Sequence, residues 1–88
     1  MKKPNSVNRI IQVNDVNIGT YIKKYRKKAG YKQTELVSRL QVLGFDISVY
    51  SYNRIEKGTQ NPTVSLLLNL CKILDCDMND LFGISDDE

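Results

Sequence analysis

Apolar residues recur at helical spacing along most of the chain, and glycines or prolines cut the pattern into short pieces. Ile18, Tyr21, Ile22 and Tyr25 form a stripe that opens at Asn17 and closes at Gly30, which predicts a capped helix over 18–29. A second helix starts near Lys32 or Gln33, carries Leu36, Val37, Leu40 and Leu43 on one side, and stops at Gly44. The third runs from a capping Ser48 to Gly58, a residue able to take the left-handed turn that ends a helix. Thr63, after Pro62, caps a fourth, whose Leu66, Leu67, Leu70, Ile73 and Leu74 point inward. Asp77 or Met78 opens a short last helix containing Leu81 and Phe82. No segment has a sheet-like pattern, so the expected fold is all-α with five helices. Residues 1–16 are polar, basic and rich in asparagine, with one apolar patch at Ile10-Ile11-Gln12-Val13. They read as an extended arm, with a short strand as the alternative, ahead of a helical domain over 17–83 and an acidic tail over 84–88.

The third helix is the most informative element. On 3.6-residue spacing Ser51, Tyr52 and Ile55 share one face, and Val49, Tyr50, Asn53, Arg54 and Lys57 share the other. An outward side that mixes a cation, an amide, a phenol and an aliphatic group suits the reading of base edges. The planar fork of Arg54 can grip guanine O6 and N7 together, and Asn53 can make the paired contact with adenine. Val49 and the Tyr50 ring can pack on a thymine methyl, while Lys57, Thr59, Gln60 and Asn61 supply donors for phosphate. The plainer reading of Asn53 or Arg54 is a solvated surface residue, and for Tyr52 it is burial in the core.

Charge changes the picture by its distribution. The formal net charge of the 88 residues is +3, but Asp86, Asp87 and Glu88 gather at one end. Lys23, Lys24, Arg26, Lys27, Lys28 and Lys32 fall in a stretch without an acid, which suits an anionic partner such as nucleic acid. The alternative for each lysine is a solvated helix face. Cys71 and Cys76, with no histidine anywhere in the chain, make a poor metal site and read as reduced thiols packed in a core. No apolar run is long enough to span a bilayer and no signal-peptide pattern is present, so the expected compartment is the cytoplasm. An enzyme is the weakest class: histidine is absent, no pair of acids converges on a cleft, and neither cysteine has a base nearby in sequence. No cofactor or small-molecule ligand is expected.

The run Ile18-Gly19, Ile22, Arg26, Gly30, Gln33, Leu36, Leu40, followed by Ile55-Glu56-Lys57-Gly58 and Pro62, resembles the phage-repressor and Cro-like helix-turn-helix family, of the xenobiotic-response-element type. The resemblance covers roughly residues 17–83. It implies a DNA-binding domain whose third helix lies in the major groove. Gln33 matches the glutamine that in the family contacts DNA backbone or a base. Val49, Tyr50, Asn53 and Arg54 match the outward positions of the recognition helix. Residues 57–61 match the loop that touches phosphate, where Lys57, Thr59, Gln60 and Asn61 are expected to act together with Lys32. Arg26 and Glu56 match an internal pair tying the first helix to the end of the third. The chain departs from the pattern in three places: the stretch 40–48 is longer than the usual tight turn, Val37 replaces a small alanine, and Lys32 replaces the threonine before Gln33. Leu43, Phe45 and Ile47 are expected to cover the extra turn.

These expectations converge on a sequence-specific, double-stranded-DNA-binding transcriptional regulator of repressor type. The resemblance further implies a homodimer on a partly symmetric operator, joined through the last helix (Met78, Leu81, Phe82, Ile84) or the arm. The alternative is a protein-interaction module, such as an antitoxin or an adaptor, that keeps the same fold. Arg54, Asn53 and the basic loop favour DNA, whereas exposed Tyr50 and Val49 also suit a protein partner.

Overall fold

The computed structural model describes residues 17–84. The arm residues Lys2, Lys3, Arg9 and Ile10-Ile11-Gln12-Val13, and the acids Asp86, Asp87 and Glu88, lie outside the described residues. Five helices follow one another: α1 (Ile18–Lys28), α2 (Gln33–Val42), α3 (Val49–Lys57), α4 (Val64–Leu74) and α5 (Met78–Leu81). Among the described residues every regular element is a helix, as the hydrophobic spacing predicts.

Short helices leave a large share of their end groups unpaired, so caps matter here. Asn17 Oδ1 accepts from the Thr20 N–H at 3.1 Å, Ser48 Oγ from Ser51 at 3.0 Å, and Thr63 Oγ1 from Leu66 at 3.1 Å. Asp77 and Asp80 cap each other's backbone at 2.9 and 3.0 Å, which holds the four-residue α5 together. α2 starts on Lys32, whose side chain cannot accept, so the carboxylate of Glu35 reaches back to the Lys32 N–H at 2.7 Å.

All five helices end in the same reversal. A left-handed residue follows the last turn, and the next residue donates its N–H to a carbonyl five positions back. At α2 this explains a departure from the sequence reading. Gly44 takes φ +100° and the Phe45 N–H donates to Leu40 O at 3.1 Å. The reversal swings Phe45 onto the core beside Leu40 and turns Leu43 outward, so Leu43 is 54% exposed instead of covering the turn. Phe45 and Ile47 do cover it. At α4 the left-handed residue is Asp75, with φ 56°, and the Cys76 N–H donates to Cys71 O at 3.0 Å. The two cysteines therefore occupy the apolar contact that accompanies this motif, as free thiols. Burial pushes both up, Cys76 to about 12, which leaves little reactive thiolate at neutral pH.

The core is a single cluster that includes Ile18, Ile22, Leu36, Val37, Leu40, Tyr52, Ile55, Leu66, Leu67, Leu70, Leu74 and Leu81. At about 1.5–3 kcal/mol for each large apolar side chain fully buried, it is the main source of stability. α1 runs through the middle and touches α3, α4 and α5, α2 packs on α3, and α4 packs on α5. Ile73 and Tyr25 are half-buried at the edge of the cluster, Tyr21 is half-buried beside Gly83, and Phe82 caps α5 from just outside the helix.

Candidate nucleic-acid interface

α3 divides as its periodicity predicts. Tyr52, Ile55 and Glu56 are buried, Tyr50 is 73% exposed, Val49 and Lys57 are exposed, and Asn53 and Arg54 lie half-buried along the outer row. The Arg54 guanidinium sits 5.7 Å from the centre of the Tyr50 ring. The ring thus steadies the cation in an outward position while leaving its edge donors free to bind.

Beneath this row lies a buried carboxylate. Glu56 accepts from Arg26 Nε at 2.6 Å and Arg26 Nη2 at 3.2 Å, from Gln33 Nε2 at 2.9 Å, and from the Tyr52 hydroxyl. Arg26 is anchored a second time, because its Nη1 donates to Tyr31 O at 2.7 Å. Burial alone would raise the Glu56 pKa, but the hydrogen bonds from Arg26, Tyr52 and Gln33 outweigh it and hold the carboxyl below its ordinary value. The same hydrogen bond to Glu56 raises Arg26, and burial followed by the bond to Glu56 raises the Tyr52 hydroxyl. The pair expected from the resemblance is therefore present, and it bolts α1, the start of α2 and the end of α3 to one another. Among the described residues no buried side-chain nitrogen or oxygen lacks a partner.

The basic cluster divides in two. Arg26 is buried and neutralised by Glu56, so it does not belong to the surface charge that the sequence suggests. Lys23 and Lys27 continue the row of Gly19, on the flank of α1 that faces α3. Lys24 lies over the rings of Tyr21 and Tyr25, and Lys28 over Tyr25, on the other flank.

Gln33, the first residue of α2, is tied at both ends of its amide. It donates to Glu56, and its Oε1 accepts from Asn53 Nδ2 at 3.3 Å. Sequence reasoning treats Gln33 and Asn53 as separate contacts; they stand twenty positions apart, and only the packing of α2 on α3 brings them together. Thr59 also differs from its simple reading. Both its N–H and its hydroxyl donate to Arg54 O, at 2.9 and 3.3 Å, so it closes the helix before it can serve a phosphate. Gln60 and Asn61 line a shallow cleft with Phe45, Asp46 and Ile47, where the loop after α3 meets the long link before it. Lys32 and Lys57 are exposed at neighbouring helix ends. Among the described residues no group of three or more potential metal ligands gathers, and no helix is long and apolar enough to cross a membrane.

A family model described as helix-turn-helix matches residues 22–81. The chain belongs to this helix-turn-helix family. It is of the phage-repressor and Cro-like type, a family of DNA-binding regulators, in which α2 and α3 form the helix-turn-helix. No curated protein matches the chain. Of the four residues expected to join two copies, Leu81 is buried in the core, Met78 and Phe82 are half-buried against it, and Ile84 is exposed. Among the described residues, the other large aliphatic side chains exposed away from α3 are Val42, Leu43 and Leu68.

Proposed function

We propose that this chain is a sequence-specific, double-stranded-DNA-binding transcriptional repressor that acts as a homodimer on a partly symmetric operator. The observation that carries the reading is the outward row of α3, in which Val49, Tyr50, Asn53, Arg54 and Lys57 stand on a helix fixed from behind by the Arg26–Glu56 pair. α3 enters the major groove. Arg54 reads guanine, Asn53 reads adenine with Gln33 beside it, and Val49 and Tyr50 pack on thymine methyls. Lys32, Lys57, Gln60 and Asn61 hold phosphates on either side, and Thr59 contributes by shaping the loop. The helical domain over 17–83 is the binding unit, residues 1–16 follow the DNA backbone as an arm, and 84–88 form an acidic tail. Reduced, packed thiols fit a cytoplasmic location.

One observation favours a second reading. Tyr50 and Val49 present an apolar surface that also fits a protein partner, as in an antitoxin or adaptor. Selection of bound fragments from a random duplex library separates the two: a repressor enriches one short, partly symmetric site, and an interaction module enriches none.

A further inference from the structure

The buried carboxylate and the outer row of α3 are joined by a chain of hydrogen bonds, and the direction of each bond is forced. A carboxylate only accepts, and Glu56 already receives Arg26 and Tyr52. Gln33 must therefore turn its NH2 group inward, where Nε2 donates to Glu56 Oε1 at 2.9 Å. Its Oε1 is left facing α3. Asn53 answers with Nδ2 at 3.3 Å, because the reverse orientation would set two carbonyl oxygens against each other. From the salt bridge outward, the polarity of one amide dictates that of the next.

We propose that Gln33 is a positioning residue for base readout: held by Glu56, it locks the Asn53 carboxamide in one of its two orientations. The proposal rests on the reading of Asn53 as a base contact. The locked amide presents Oδ1 and its second N–H to the groove in a fixed order, and this pair matches the N6 donor and N7 acceptor of adenine. An amide free to turn over would offer the two groups in either order and discriminate less. Gln33 then shapes sequence preference without touching the base that it helps to select. Arg26 enters the same chain from below, since its two nitrogens on Glu56 and its third on Tyr31 O fix the carboxylate that fixes Gln33.

The test is a double-mutant cycle read as base preference. The site is first selected from random duplexes with the full chain, and Asn53→Ala identifies the base pair whose preference depends on Asn53. Gln33→Ala is then measured on that site and on duplexes changed at that pair. The variant keeps its fold, because Glu56 retains both Arg26 nitrogens and the Tyr52 hydroxyl. The expected result is a loss of roughly fivefold or more in preference at the Asn53 base pair, over and above any loss shared with random duplex, and with a modest fall in melting temperature from the lost bond to Glu56. In the Asn53→Ala background the same substitution should do nothing further at that pair. An effect that maps to another base pair, or persists without Asn53, overturns the proposal and makes Gln33 a contact in its own right. NMR of the side-chain amides gives a second measurement that needs no DNA. The Asn53 NH2 group should be ordered in the native chain and mobile in Gln33→Ala; order in both overturns the locking. If Asn53→Ala alters no base preference, the reading of Asn53 as a base contact fails, and the NMR result still decides whether Gln33 holds it.

Discussion

Gly19 lies against Ile55 so closely that a Cβ added to it would fall 2.3 Å from the Ile55 carbonyl oxygen, and 2.5 Å from that of Glu56. Backbone therefore meets backbone where α1 crosses the last turn of α3. This approach brings Arg26, two turns further along α1, within reach of Glu56. The glycine is thus part of the mechanism that sets the angle of the recognition helix. Gly19→Ala should force the helices apart and cost about 1–3 kcal/mol or more, because a carbonyl in a helix cannot yield as a flexible side chain can. Thermal denaturation checks it: a variant as stable as the native chain would show that the contact is looser than described.

Arg26→Ala and Glu56→Ala should each be strongly destabilising, by about 3–5 kcal/mol, since either leaves a buried charge without its partner. The double variant should lose less than the sum of the two. Chemical denaturation of the four proteins gives the coupling. Strict additivity would mean that the side chains act independently.

The depressed pKa of Glu56 makes a prediction about acid. A carboxyl whose folded value lies below its unfolded one stabilises the fold above the unfolded value, and that contribution disappears as the pH falls towards the folded value. For Glu56 the loss should begin near the ordinary value of 4.5 and continue below it. Melting curves between about pH 6 and pH 3 should show a steep fall for the native chain and a shallower one for Glu56→Gln. Parallel curves would remove Glu56 from the acid response.

Arg54 and Lys57 should separate reading from holding. Arg54→Ala is expected to weaken the selected site by about 1–3 kcal/mol and to relax preference at one base pair. Lys57→Ala should weaken all duplexes alike and make the dependence of log K on log salt shallower by about one unit. Titrations on the selected and a random duplex at several salt concentrations distinguish them; equal losses on both for Arg54→Ala would make it a phosphate contact.

How much of this was legible in the sequence follows from the range of the signals. Asn17, Ser48, Thr63 and Gly58 act on their own helices, so local pattern suffices to place α1, α3 and α4 within a residue or so. The two faces of α3 are readable for the same reason. Leu43 misleads because it keeps the helical spacing of Leu36 and Leu40, while the reversal at Gly44 hands its place to Phe45. Arg26 counts as one more cation in a basic run until the packing of α1 on α3 pairs it with Glu56. Residue spacing alone cannot show that Gln33 and Asn53 share a hydrogen bond, or that Leu81 faces wholly inward. Those are facts about how helices meet, and only the resemblance carried any of them, in the Arg26–Glu56 pair.

The central claim, that α3 and its flanking cations bind duplex DNA in a sequence-specific way, is tested most directly by the affinity of the full chain for its selected duplex and for a scrambled one across a range of salt. The account predicts tighter binding to the selected duplex by about 10³-fold or more, and a steep weakening of both as salt displaces the phosphate contacts. Equal affinities for the two duplexes, or binding that salt leaves unchanged, would contradict it.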